Sequence, residues 1–515
     1  MKKPRRENIL ILDFGSQYTQ LIARRIREHR VFSEIVRHDI RPREIRRKAP
    51  RGLVLSGGPW SVYQPNAPMP HPGVFEMGLP VLGICYGMQV MSHVLGGKVG
   101  AGKQGEYGRS TFRRIEKDPL LAGLPRSLSV WMSHRDVVDA VPSHFVPSGE
   151  ASGSRLAAAH DDARKLHMLL FHPEVVHTDF GKRIFKNFLS RICACEGTWS
   201  LEEFVQDTCR RIRREVGSGR AIAALSGGVD SSVACVLAHR ALGSRLTCIY
   251  VDHGLGRADD AEGATRTLEE KFGLRVKRVD AGRRFLKKLE GVEDPEKKRR
   301  IIGEEFIRTF EEESEKLKDT QFLVQGTLYP DVIESVSWKG PSASIKTHHN
   351  VGGLPSSMNL RIVEPLKELF KDEVRQVGRL LKVPQRVLMR HPFPGPGLAV
   401  RILGAVTSER LERVREADRI FLEELRAAGL YDEVWQALAV LLPVKSVGVM
   451  GDSRTYEDVV ALRAVTSRDG MTADWARIPA RVLSTVSNRI VNEVKGVNRV
   501  VYDVSSKPPA TIEWE

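Results

Sequence analysis

The chain has 515 residues, 41% of them hydrophobic, which is material for roughly three ordinary domains, each with its own core. Lys and Arg number 80 against 64 Asp and Glu, a net charge of +16, but the basic residues are spread along the chain without interleaved aromatics, which favours anionic small-molecule substrates over nucleic acid. The six cysteines (85, 193, 195, 209, 235 and 248) include no CxxC pair and are too scattered for a disulfide scaffold, which argues against a zinc signature and for a reducing, cytoplasmic setting.

In chain order, the basic MKKPRR start is followed by ENILILDFG, whose apolar stretch is shorter than a secretory core. Across residues 1–190, apolar runs at Ile9–Leu12, Leu53–Leu55 and Val81–Ile84 alternate with helical patterns, which predicts a parallel α/β sheet. CACEGTWS at 193–200 reads as a boundary, and a second alternation begins at Ala221, with strands near 246–251, 275–279 and 321–325. Residues 293–319 read as a long amphipathic helix with Ile301, Ile302, Phe306 and Phe310 on one side. The Pro/Gly-rich RHPFPGPGLAVR at 390–401 marks another boundary. Beyond it the pattern predicts a helix near 409–428 and short strands at 446–450, 499–504 and 510–514, a small α+β domain. The predicted organisation is two parallel-sheet α/β domains, 1–195 and 200–390, followed by an α+β domain, 391–515. No apolar run approaches membrane-spanning length.

Three motifs in the first domain share a chemistry. In PVLGICYG a strand runs into Cys85, with Gly83 and Gly87 permitting the sharp strand-to-helix turn of a nucleophile elbow. A helix N-terminus favours thiolate, the reactive form. FHPEV at 171–175 supplies His172 as a base, and in a strand Glu174 would point to the same side and orient it. LSGGP at 55–59 places Gly57 and Gly58 after a strand, where their N–H groups, with that of Tyr86, suit an oxyanion hole. Taken singly, the Cys also fits core packing and His-Pro-Glu a plain turn. Together the set resembles the type 1 glutamine amidotransferases. The resemblance implies that Cys85 attacks the glutamine amide, that His172 handles protons with Glu174 supporting it, and that Gln89 contacts the substrate glutamine. Two departures bear on glutamine affinity: HMLLF (with Met168 and Leu170) precedes HPE, and Arg135 stands in WMSHRD where a small residue is usual.

The second domain opens on SGGVDSS at 226–232, a Gly-rich turn without the lysine of a Walker loop. Backbone N–H groups of Gly227, Gly228 and Val229 at a helix N-terminus, with hydroxyls of Ser226, Ser231 and Ser232, suit a phosphate or pyrophosphate. Asp230 among these donors implies Mg²⁺, or else caps the helix. The string resembles the pyrophosphatase-type ATP loop, with ATP as co-substrate cut between its α- and β-phosphates. IYVDHGLGR at 249–257, containing Val251, lies near the nucleotide by the same resemblance. In IKTHHNVGGLP the pair His348–His349 lacks a third ligand at metal spacing, so this segment reads as a lid or a substrate loop, with Lys346 able to meet phosphate.

The strings HPFPGPGLAVRILG, LPVKSVGVMGDSRTYEDVVALRAV and NRVVYDVSSKPPATIEWE extend the likeness over the whole chain: it resembles the glutamine-hydrolysing GMP synthetases. That resemblance implies adenylylation of xanthosine 5′-monophosphate (XMP), displacement of AMP by ammonia, and a homodimer. Lys507, Thr511 and Glu513 would hold XMP, with Arg401; alone, Lys507 also reads as a solvated terminal lysine. Two rivals stay open on the residues: another ammonia-using ligase with the same loop, and a basic RNA-binding protein.

Overall fold

A computed structural model describes residues 7–257, 260–317, 319–336, 360–450, 453–467 and 472–515. The chain forms two compact units, one around Met1–Phe204 and one around Val205–Val332 and Lys346–Glu515.

In the first unit, short parallel strands, buried on both faces except at the outer strand Phe32–Arg37, make the core, as covered α/β sheets require. They are β1 (Asn8–Asp13), β2 (Phe32–Arg37), β3 (Gly52–Leu55) and β4 (Val81–Ile84). The sheet then departs from the purely parallel expectation. β5 (Lys98–Arg114), β6 (Ser127–Ala140), β7 (Val146–Ala151) and β8 (Ser154–Asp161) pair antiparallel, and β9 (Leu166–Leu169) returns parallel beside β4. The nine strands run in the order β2-β1-β3-β4-β9-β8-β7-β5-β6. The first half of β6 alternates buried and half-exposed residues, the period-2 pattern of a sheet with one wetter face. The strand order reverses direction beside β1, so the carboxyl ends of β1 and β3 form the crevice where such sheets bind ligands.

The second unit contains a wholly parallel sheet: β10 (Arg220–Ala224), β11 (Leu246–Asp252), β12 (Arg275–Asp280), β13 (Thr320–Val324) and β14 (Arg361–Val363). Its order, β12-β11-β10-β13-β14, puts the switch point between β10 and β13. The amphipathic helix lies at Pro295–Glu315, with Asp294 capping Lys297 N–H and with Ile302 and Phe310 buried. The third element set of this unit is an antiparallel hairpin of β15 (Gln436–Met450) and β16 (Ser453–Thr466), with β17 (Asp474–Trp475) and a parallel β18 (Val497–Tyr502) both paired to β16. Helices Ser408–Ala427 and Ala480–Glu493 share the same core.

Two expectations for this region change. The strand expected at 446–450 is the end of a fifteen-residue strand. The strand expected at 510–514 does not form; those residues are bends and irregular chain. The reason is where the backbone bonds go. Arg463, fully buried on β16, donates to the carbonyls of Ile512 (2.9 Å), Thr511 (2.8 Å) and Ser505 (3.0 Å) and to the Asp503 carboxylate (2.7 Å). A guanidinium takes the place of a neighbouring strand.

Arg463→Ala should therefore cost roughly 3 kcal/mol of stability, because it strands Asp503 and three carbonyls together. A denaturant midpoint unchanged from the parent protein would contradict this.

Candidate functional site

In the first unit the predicted residues gather at the carboxyl ends of β1, β3, β4 and β9. Cys85 follows β4 and precedes the helix Tyr86–Val94, with φ 53° and ψ −110°. For a non-glycine residue that conformation costs on the order of 1–3 kcal/mol, held by its surroundings. Here the surroundings are tight turns with no room for side chains. A Cβ on Gly87 would lie 2.4 Å from the Leu55 carbonyl oxygen, and one on Gly83 would lie 2.6 Å from Met91 Sδ. One on Gly58 would lie 2.7 Å from the Phe14 carbonyl oxygen. A Cβ on Gly57 would sit 3.0 Å from His172 Cε1 and 3.6 Å from Cys85 Cβ, so the three motifs meet.

Residues 171–175 form a turn and not the strand expected of them. The pairing holds nonetheless: His172 Nδ1 lies 2.7 Å from Glu174 Oε1, with both side chains buried. The turn is pinned by His172 N–H donating to the Trp131 carbonyl (3.0 Å), by Thr178 Oγ1 donating to the His172 carbonyl (2.6 Å) and by Arg25 Nε donating to the Glu174 carbonyl (2.9 Å). Burial opposes charge on His172, but the charge of Glu174 and the nearness of Cys85 outweigh it and hold its pKa well above the ordinary histidine value. The arrangement holds a charged imidazole beside the Cys85 sulfur. Tyr86 begins the helix, so its N–H has no helical partner and is available to an oxyanion beside the Gly57–Gly58 turn. Gln89 is buried and its Nε2 donates to the Asp136 carbonyl at 2.9 Å. Arg135 is exposed on β6, while Met168 and Leu170 are buried. Sequence reasoning missed Tyr18, whose ring packs edge-on to His172 at 5.1 Å; its GSQYTQ context gave no spacing signal.

In the second unit, the 226–232 turn sits at the β10/β13 switch point. Gly227 has φ 73°, and Gly228 is the N-cap of the helix Val229–Leu242. Ser226 Oγ lies 3.0 Å from Ser231 Oγ, both toward solvent, while Ser232 is buried with its Oγ unbonded. Asp230 is two residues past the cap. It pairs through Oδ2 with Lys371, at the start of the helix Lys371–Leu380, while its Oδ1 is buried without a hydrogen-bond partner. The lysine absent from the loop thus arrives from 141 residues away, which no local motif could reveal. Arg390 donates to the Gly227 carbonyl, and Gly326, in the turn after β13, passes the same spot: a Cβ there would lie 3.3 Å from the carbonyl carbon of Asp230. Val251 is a buried residue of β11. Lys346 and His348–His349 lie outside the described residues.

The remaining predicted residues lie near segment 503–515. A cavity of ≈ 540 Å³ is lined there by Tyr502, Asp503, Ser505, Thr511, Glu513 and Trp514, among others. Glu513 takes two bonds from Arg401 (3.1 and 2.9 Å) and one from Gln436. Arg401 is fully buried and also bonds Asp418 (3.2 Å), which Arg257 grips at 2.6 Å. The Phe393 ring packs against both guanidinium groups, at 4.9 and 5.0 Å. Thr511 Oγ1 turns back to the Glu513 carbonyl, and the Lys507 backbone pairs with Ala473 in both directions (2.7 and 3.0 Å). Arg257, Asp418 and Gln436 were not singled out from sequence, since each contact spans dozens of residues.

Raised as it is, the His172 pKa has a stability consequence. The imidazolium contributes in full below the unfolded value, about 6.5, and the contribution is lost as pH rises through the higher folded value. Glu174→Gln removes a raising partner, so denaturant midpoints of the variant should fall less than those of the parent protein between neutral and alkaline pH. Parallel profiles would contradict the pairing.

Three family matches cover successive parts of the chain: glutamine amidotransferase class-I at residues 10–192, NAD synthase at 201–300, and the GMP synthase C-terminal domain at 423–514. Along its full length the chain is 56% identical over 510 residues to the glutamine-hydrolyzing GMP synthase of Aquifex aeolicus, covering 99% of this chain and 100% of that one. It is 57% identical over 511 residues to that of Symbiobacterium thermophilum, covering 99% of each. With identity of this order sustained from end to end, the chain belongs to the glutamine-hydrolyzing GMP synthase family.

Proposed function

We propose that the chain makes GMP from XMP, with ATP cleaved to AMP and pyrophosphate and with ammonia drawn from glutamine. The observation that carries the reading is the pairing, in one chain of this family, of Cys85 gathered with the His172–Glu174 pair around Gly57 at one switch point with an anion cradle at another. The NAD synthase likeness of residues 201–300 covers only the cradle region; the full-length relatives favour GMP.

The Cys85 sulfur attacks the carboxamide carbon of glutamine. The oxyanion forms against the N–H groups of Gly58 and Tyr86, and Gln89 helps position the substrate. His172 delivers its proton to the departing nitrogen, then takes one from the water that cleaves the thioester; Glu174 orients the ring and stabilises its charge throughout. At the second site the carbon-2 oxygen of XMP attacks the α-phosphorus of ATP, and pyrophosphate leaves into the cradle. Gly227, Gly228 and Val229 offer N–H groups, and Ser226, Ser231 and Ser232 offer hydroxyls, at the positive end of the helix. Val251 borders the nucleotide through its main chain at the end of β11. Ammonia then attacks carbon 2, and the bond to the AMP oxygen breaks.

The unbonded, buried Oδ1 of Asp230 suits a cation, and a carboxylate beside phosphates needs one. We infer that Mg²⁺ would be held there by Asp230 together with the phosphates. Bound there, Mg²⁺ would neutralise charge on the leaving pyrophosphate. Lys371 offers a second cationic partner on the same side.

Lys507, Thr511 and Glu513 hold XMP. The acidic Glu513 faces base or ribose, and Lys507 the phosphate. Arg401, buried and ion-paired, acts by fixing Glu513. We place the domain limits at 1–195, 200–390 and 391–515. The hairpin carries an exposed apolar strip, with Val447 and Tyr456 opposite each other and Val449 73% exposed, which supports a homodimer through this face. No described helix is long and apolar enough to cross a membrane, and a cytoplasmic enzyme without nucleic-acid partners is the setting we infer.

Cys85→Ala should abolish glutamine-dependent GMP formation and leave ammonium-dependent formation within about twofold, since the thiol serves only ammonia release. Loss of both in a folded variant would overturn the two-site reading. Asp230→Asn should depress both by about tenfold or more, as a lost charge contact predicts. A defect restricted to glutamine would count against its place beside the pyrophosphate.

A further inference from the structure

One fully buried cation is not used by the chemistry above. Lys298 lies one turn into the helix Pro295–Glu315, with no exposed surface. Its ammonium donates to the carbonyls of Ile402 (2.6 Å) and Ala399 (3.2 Å) and to Glu515 Oε2 (2.7 Å). All three donors of the ammonium are used. The neighbouring Arg299 reaches the Glu515 carbonyl.

The two carbonyls belong to the turn Gly397–Arg401 and the residue after it. That turn is itself locked onto the loop that follows β11: Leu398 N–H donates to the Leu255 carbonyl at 2.8 Å, and a Cβ on Gly397 would lie 2.3 Å from the same oxygen. Arg401, at the end of the turn, fixes Glu513. Lys298 therefore touches both walls of one frame, the turn on one side and segment 503–515 on the other, from a helix that packs beside the nucleotide sheet. Burying a lysine among backbone carbonyls is costly unless its bonds are made, so the frame has one low-energy geometry.

We propose that Lys298 is a positioning residue for the XMP pocket, holding the Gly397–Arg401 turn and segment 503–515 in the register that presents Glu513, Thr511 and Lys507 to the nucleotide. This rests on the reading of segment 507–515 as the XMP site. Lys298 touches no substrate; it acts through Glu515 and the turn.

The test uses the full chain with ammonium as nitrogen donor, so that glutamine chemistry does not limit. Pyrophosphate release is titrated separately with XMP and with ATP for Lys298→Met, Glu515→Gln and, as a reference, Lys507→Ala. Lys298→Met should raise the KM for XMP about tenfold or more, the scale of a lost charged hydrogen bond, with the KM for ATP and glutamine hydrolysis within about twofold of the parent protein. Glu515→Gln, which removes the same contact from the outer end, should move the XMP value in the same direction by a smaller factor. A Lys298→Met variant too unstable to assay leaves Glu515→Gln to decide. A merely structural lysine would lower the melting temperature without separating the two KM values. Equal shifts in both, or an unchanged XMP value in the folded variants, would overturn the proposal. If Lys507→Ala also leaves the XMP value unchanged, the reading of the segment fails as well; if Lys507→Ala alone raises it, only the role of Lys298 falls.

Discussion

The structure depends on how closely a helix can begin against the end of a neighbouring strand. Gly87 stands where any Cβ would strike the Leu55 carbonyl, and Gly58 where one would strike that of Phe14. Only with these positions empty can the helix Tyr86–Val94 start beside β3 and aim its free N–H groups into the crevice. Cys85 takes its strained φ from the same constraint, and His172 reaches it because Gly57 also lacks a side chain. In the second sheet the turn after β10 needs Gly227 for its positive φ, and Gly326 lets the turn after β13 come within contact of Asp230. Two chemistries, thiolate attack and pyrophosphate departure, thus use one piece of backbone physics: N–H groups at a helix start, at a point where strand order reverses.

The segment 503–515 is organised by charge. It has little ladder bonding of its own, and three fully buried cations, Arg463, Arg401 and Lys298, supply the contacts that strands would otherwise give. Buried charges persist only when paired, and here they are: Arg401 and Arg257 share Asp418, Arg401 also holds Glu513, and Lys298 holds Glu515. Such a network adds little net stability compared with apolar packing, but it permits few alternative arrangements. That suits the role proposed for this segment, presenting a lysine and a carboxylate at fixed positions to XMP.

Much of this was legible in the sequence because the signals are local. The runs Ile9–Leu12, Leu53–Leu55 and Val81–Ile84 lie within strands, and SGGP, GICYG, HPE and SGGVDSS each describe their own turn. The antiparallel half of the first sheet was not foreseen, since its two longest strands, β5 and β6, run 17 and 14 residues and carry no short apolar run between helices. Ala-Thr-Ile at 510–512 has strand composition but no strand partner, because Arg463 claims its carbonyls. Lys371 at Asp230, and Asp418 between two arginines, come from distant parts of the chain, and their pairing is a property of topology that no spacing within the sequence encodes.

The central claim is that one site activates the carbon-2 oxygen of XMP by transferring adenylate to it. The direct measurement follows that oxygen. XMP labelled with ¹⁸O at carbon 2 is turned over with ATP and ammonium, and the products are weighed by mass spectrometry. The account predicts that the label leaves with the phosphate of AMP, one atom for each GMP formed. AMP without label, or label released to water, would contradict it.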